Sequence, residues 1–254
     1  MYLKKILVLL ISISFAVIAY AEEIQAESKT DEAVSVRNTG IENQNNNEES
    51  VEEKAVTDPF EPLNRVFFTF NDKLYFWVMK PVAKGYSAVI PEWGRIRVRN
   101  VFKNAAMPVR FINSILQLKM HAAAKELGRF MVNTTAGLGG MFDILEGNPD
   151  AGSSNEDLGQ TLGVYGIGDG FYIVLPVLGP SSFRDAVGLA GDYYLYPVHY
   201  LSDKDAVLAI DSYERVNNTS LRIGEYEDLK ESAVDTYTAV KDAYIQHRRS
   251  KVKE

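Results

Sequence analysis

The residues that could do chemistry are few and scattered. The 254-residue chain has three histidines, His121, His199 and His247, and no cysteine. Thiolate metal sites, iron–sulfur clusters, disulfides and a cysteine nucleophile are therefore excluded. No HExxH or comparable ligand spacing joins a histidine to other donors, so the sequence predicts no metal site and no cofactor. Ser181, Ser182, Asp185 and His199 supply the residue types of a hydrolase triad. No GxSxG elbow surrounds the serines, and Gly179-Pro180-Ser181-Ser182 reads instead as the N-cap of a helix. Gly163-x-x-Gly166-x-Gly168-x-Gly170 has neither the order nor the strand-to-helix context of a dinucleotide loop, and no Walker GK[ST] is present. These glycines fit turns and close backbone approach. The sequence thus predicts no enzyme.

Charge is distributed unevenly. The net formal charge is −7. Residues 22–57 hold ten acidic side chains against three basic ones, which leaves 58–254 close to neutral. A basic footprint for nucleic acid is missing. Lys4 and Lys5 precede an apolar run over 6–18, and Ala19-Tyr20-Ala21 places small residues where a signal peptidase cuts. The run falls short of the ~20 residues a membrane span requires. Residues 1–21 are expected to be a cleavable signal peptide. Residues 22–57, Glu/Asn/Ser-rich and without aromatics, are expected to be a disordered acidic linker.

A domain covering 58–254 has to position whatever the protein uses. Asp58-Pro59-Phe60-Glu61-Pro62 opens it, with Asp58 and Asn64 as candidate caps. Over 66–79 apolar residues lie almost all round the helical wheel, and Pro81 is expected to end that helix. Such a helix is either deeply buried or faces lipid; it is too short to span, and Tyr75 and Trp77 suit the headgroup level. Trp93–Leu118 predicts a helix broken near Pro108, starting with the basic cluster Arg95, Arg97, Arg99 and Lys103. Further helices are expected over 119–135, from Ser182 to about 201, over 203–217, and as one piece over 222–249. Leu229, Ala233, Tyr237, Val240 and Tyr244 form the apolar face of the last. Only 164–178 holds strand material, strongest at 171–175. The fold class is mainly α, with at most a short β-hairpin.

Several motifs in a fixed order resemble the MlaA (VacJ) family of outer-membrane phospholipid-transport proteins. They are Asp58-Pro59-Phe60-Glu61-Pro62-Leu63-Asn64-Arg65, Phe70-Asn71, Lys80-Pro81-Val82-Ala83, Asn100-Val101-Phe102-x-Asn104, and Asn133-Thr134-Thr135-x-Gly137-x-Gly139-Gly140 with Asp143. Glu156-Asp157-Leu158-Gly159-Gln160-Thr161-Leu162-Gly163-Val164-Tyr165-Gly166 and Gly179-Pro180-Ser181-Ser182-x-Arg184-Asp185 follow. The resemblance implies a ring-shaped helical body lying in the inner leaflet of the outer membrane, on its periplasmic side. It also implies an amphipathic channel that removes mislocalised phospholipids from the outer leaflet and passes them to a periplasmic lipid carrier, with a porin trimer as partner. By the same likeness Phe67, Phe68, Leu74, Phe76 and Trp77 would face the membrane. Asp58, Pro59, Asn64 and Arg65 would position the first membrane-lying helix, and Gly137, Gly139 and Gly140 would form a flexible loop beside the channel. Many family members carry a lipidated cysteine after the signal peptide. Glu22 stands there, so the chain is expected not to be lipidated. The alternative is a soluble periplasmic lipid-binding or scaffold protein without membrane insertion.

Overall fold

The computed structural model describes residues 56–148, 152–201 and 203–253. The expected signal peptide and nearly all of the expected linker lie outside them. The first helix, α1 (Glu61–Leu74), starts with Pro62 in its first turn, where the missing N–H removes no helical bond. It does not stop before Pro81. A π turn over Tyr75–Met79, in which the Lys80 N–H reaches back five residues to the Tyr75 carbonyl, joins it to α2 (Lys80–Val89). The expectation of a stop was wrong because the wider turn makes room for the proline ring, which would otherwise press on the preceding turn.

After Pro91, α3 (Glu92–Ala105) and α4 (Met107–Leu116) meet at Ala106, with Pro108 in the first turn of α4. The Lys119 N–H bonds the Ser114 carbonyl and Leu118 sits at φ 59°, a position that glycine usually fills at a helix end. Leu118 is 76% exposed, so little packing opposes a change there. Leu118→Gly should therefore raise the thermal midpoint by the equivalent of about 0.5–1 kcal/mol; a lowered midpoint would show that the leucine side chain contributes more than its strain costs.

Next come α5 (Met120–Thr135), a series of turns over 136–147, and a helix that the sequence did not predict, α6 (Leu158–Val164), capped by the Asp157 carboxylate on the Gln160 N–H. The hairpin pairs β1 (Tyr172–Leu175) with β2 (Gly179–Ser182), antiparallel, in register Tyr172 to Ser182. It lies several residues later than the expected 164–178. Ser182 ends β2 and also caps α7 (Phe183–Tyr193) through the Asp185 N–H. A 3₁₀ turn (Pro197–Tyr200) leads to α8 (Lys204–Ser220), and the expected single last helix is two, α9 (Glu225–Ser232) and α10 (Thr236–Lys253). Asp235 makes that break. Its carboxylate accepts from the Tyr237 N–H and the Thr238 hydroxyl and so starts a new helix.

Packing is organised by pairs. α2 and α3 lie on α8, α4 pairs with α5, α6 crosses α7, and α10 covers α6 and β2. One apolar cluster joins Tyr172, Val174, Tyr237 and Tyr244, with Phe67 and Phe68 packed on it. A second joins Tyr75 and Met79, with Phe76, Val216 and Tyr226 around them. Among the described residues the buried set contains more polar and charged side chains (19) than apolar ones (12), while Val66, Trp77, Val89, Trp93, Leu118 and Met131 stand on the surface. That distribution inverts the usual one for a domain in water. None of the described helices is long and apolar enough to cross a membrane.

Candidate functional site: a charged and apolar cavity

The helices line a half-open cavity of about 1430 Å³. Its wall draws on α3, α4, α5, α7, α8 and α10, together with Leu175 and Leu178 of the hairpin. One face of α8 contributes Lys204, Val207, Leu208, Asp211 and Arg215, spaced at i, i+3, i+4, i+7 and i+11. The wall holds apolar Phe102, Met107, Phe130 and Leu189 together with ionised groups. Those groups are mostly locked in pairs. Arg110 bonds the fully buried Glu126 at 2.8 Å, and Arg129 pairs with Asp143. The Arg110 charge and hydrogen bonds from Ser153 and the Ser154 N–H overcome the effect of burial, so Glu126 stays below the usual carboxylate range.

A six-residue charge network closes one side. Arg248, 2% exposed, bonds both oxygens of Asp157 (2.5 and 2.9 Å) and both of Asp185 (3.0 and 2.9 Å). Arg184 joins Asp185 to Asp169, Arg249 reaches Asp169, and the Tyr244 hydroxyl donates to Asp185. Three carboxylates thus meet three guanidiniums. Burial opposes the charge on Asp185, but Arg248 outweighs it and the carboxyl titrates at about 2. Gly159 is required here: a Cβ would lie 2.5 Å from Asp185 Oδ1 and 2.7 Å from Arg248 Nη2.

Asp192 behaves oppositely. It lines the cavity and accepts from the Leu158 N–H (2.9 Å) and Asn113 Nδ2 (2.8 Å). Burial, reinforced by the charge of Asp157, pushes it up to about 6. The folded chain therefore holds an extra proton between the ordinary carboxyl value and about 6, and stability falls as pH rises through that interval, by at most about 3 kcal/mol. Asp192→Asn removes the titrating group and should flatten this slope in unfolding midpoints measured from pH 4 to 7 (approximate bounds of the interval); an unchanged slope would assign it elsewhere.

The structure redistributes the residues expected to matter. Of the five expected membrane-facing side chains, Phe67 and Phe68 pack on the hairpin core and Phe76 on Tyr75 and Tyr226. Leu74 is half-buried and Trp77 is 74% exposed. The outward apolar stripe of α1 is instead Leu63, Val66 and Phe70. The sequence missed this because Asn64 and Asn71, not the phenylalanines, define the inward face. Asn64, in the first turn of α1, is a strut to the hairpin rather than a cap. Its amide takes the Val174 N–H and donates to the Tyr172 carbonyl and to Asp58. Pro59 lies in the exposed turn before α1, and Arg65 bridges Glu61 and Asp235 over the Tyr237 ring.

Gly137, Gly139 and Gly140 sit in turns hydrogen-bonded back to α5 through the Val132, Thr134 and Asn133 carbonyls. A Cβ on Gly137 would meet the Phe142 carbonyl at 2.2 Å, and one on Gly140 the Asn104 side chain at 2.4 Å. Close packing, rather than an open loop, accounts for these two. Their neighbours Asn104, Asn133 and Asp143 line the cavity; the glycines do not. The hydrolase grouping is not assembled. Asp185 is held by Arg248, while His199 stacks on Tyr193 and faces Asp211 at 3.4 Å. No group of three potential metal ligands forms among the described residues.

Residues 56–251 match the family model described as MlaA lipoprotein. The chain is 30% identical over 219 residues to the Haemophilus influenzae intermembrane phospholipid transport system lipoprotein MlaA, covering 85% of this chain and 86% of that one. It is 32% identical to a Rickettsia bellii protein over 78% of each. A solved structure from work on the structural basis for maintenance of bacterial outer membrane lipid asymmetry superposes with a TM-score of 0.68 at 28% identity, over 77% of this chain and 99% of the other. The chain belongs to the MlaA family.

Proposed function

We propose that the protein is a phospholipid-transport component of the bacterial outer membrane, and that the cavity is its lipid path. The observation that carries this reading is the wall itself. It offers ionised and polar groups beside Leu175, Leu189, Val207 and Leu208, as an amphiphile with a charged head and apolar tails requires. The names of the relatives support transport of phospholipids and a role in lipid asymmetry. The reading needs no covalent step, so the protein acts as a conduit rather than an enzyme. Lipid leaves the outer leaflet, enters the cavity, and passes to a periplasmic carrier, with a porin trimer as neighbour.

The outward apolar groups, Leu63, Val66, Phe70 and Trp77 among them, would hold the body in the leaflet. This hold matters because the Haemophilus influenzae relative is named a lipoprotein, whereas this sequence has no cysteine on which a thioether anchor could form. A chromosomal deletion tests the role: outer-leaflet phospholipid should rise and return to normal with the wild-type gene. Ala190→Trp, which fills the cavity wall, should fail to restore it although the protein is present in washed outer membranes. A deletion without accumulation would refute the transport role, and loss of the protein from carbonate-washed membranes would point to the soluble alternative.

A further inference from the structure

Among the described residues, one buried side-chain atom without a hydrogen-bond partner belongs to a residue of the cavity wall: Nη1 of Arg215. The remaining atoms of this kind belong to residues that do not line the cavity. Arg215 has neither a hydrogen bond nor a carboxylate within 4.0 Å among the described residues. The carboxylates that act on it, Asp211 and Glu214, have partners of their own. Asp211 faces His199, and Glu214 accepts from the Tyr196 hydroxyl at 3.1 Å. The other wall arginines, Arg110, Arg129 and Arg248, are each ion-paired, and Lys204 on the same face of α8 is exposed to solvent. Burial lowers Arg215 to about 10, which still leaves it charged at neutral pH.

A partly dehydrated guanidinium with no bonded counter-ion is costly to keep, and a bonded internal partner would have offset part of that cost. Its planar fork matches two oxygens of a phosphate, and it gives up water more readily than an ammonium. Two turns back on the same face of α8 stand Val207 and Leu208, apolar neighbours for what a phosphate would be attached to. We infer that Arg215 is the phosphate-binding residue of the cavity and selects amphiphiles that carry a phosphodiester head. This rests on the lipid-path reading and adds to it the group that tells a phospholipid from an uncharged lipid with the same tails.

The test uses the full chain in detergent with three probes: dioleoylphosphatidylglycerol, dioleoylglycerol and inorganic phosphate. Wild type should retain the phospholipid over the diacylglycerol by about tenfold or more, the value of a charge-assisted fork. R215Q should lose that preference, keep its diacylglycerol retention, and unfold at a temperature no lower than wild type, because an unpaired cation has left the interior. R215K should recover part of the preference. Excess inorganic phosphate should not displace the lipid. If R215Q keeps the preference, this inference falls and the conduit stands. The same holds if R215Q loses both lipids together with thermal stability, which would make Arg215 structural. Phosphate binding that depends on Arg215, with no preference between the lipids, would make this a free-anion site and overturn the headgroup assignment. If wild type retains neither lipid, the conduit reading falls and takes this one with it.

Discussion

Arg248→Met should cost about 3–5 kcal/mol of folding stability, the usual consequence of removing one partner from a buried ion pair. That is a large share of the ~5–15 kcal/mol by which a domain is stable. The methionine fills similar space, so the loss is electrostatic rather than a cavity effect. It leaves Asp157 and Asp185 facing each other across the α6–α7 crossing, with four guanidinium bonds gone. The pH dependence identifies the cause. In wild type Asp185 titrates at about 2, below its unfolded value, so its contribution is present above the unfolded value and is lost as pH falls toward 2. In the variant burial dominates and the carboxyl moves up, so acid relieves the penalty. The gap in unfolding midpoint between wild type and Arg248→Met should therefore be wide near pH 7 and narrow near pH 3, on either side of the ordinary carboxyl value. Arg248→Lys restores charge without the fork and should recover only part. A gap of equal size at both pH values would mean that packing, not charge, sets the cost.

Arg248 also shows what could be read in the sequence. The apolar face Tyr237, Val240 and Tyr244 is the buried face of α10, and one more turn along it falls on Arg248. An arginine continuing an apolar stripe was the available signal for a buried charge, but its partners, 63 and 91 residues away, had no local trace. The α3–α4 break at Pro108 and the strand at 172–175 were legible because proline and β-branched runs act locally. Helix α6 was not, because Gly159 and Gly163 read as turn formers. They are small for a tertiary reason: Cβ atoms there would strike the Asp185–Arg248 pair and Val252. The cavity was legible only through the family resemblance. Its lining comes from segments between Asn100 and Lys251, and the buried polar majority cannot be seen in any single helix.

Asn64→Leu and Asn71→Leu should each cost about 2–6 kcal/mol, since each leaves a buried hairpin N–H and carbonyl unpaired at roughly 1–3 kcal/mol apiece. The two amides hold α1 to the hairpin in the same way. Asn64 takes the Val174 N–H at 2.8 Å and donates to the Tyr172 carbonyl, and Asn71 takes the Val177 N–H at 2.6 Å and donates to the Leu175 carbonyl. Seven helical residues rise about 10.5 Å and three strand residues about 10 Å, so the same contact recurs two helical turns and three strand residues later. Leucine keeps the γ-branched shape of asparagine but is bulkier, so it removes both hydrogen bonds and adds some overpacking. Asn71 has a further task. Val177, 1% exposed, is held at φ 77°, a conformation that a β-branched residue adopts only under constraint. Losing its amide acceptor lets the hairpin turn relax, and the turn carries Leu175 and Leu178 into the cavity wall. Asn71→Leu should therefore lower lipid retention as well as the unfolding midpoint, whereas Asn71→Asp, which keeps the acceptor for Val177, should spare more of both. Equal midpoints for Asn71→Leu and wild type would show that water replaces the amide and that the hairpin is held by its apolar contacts alone.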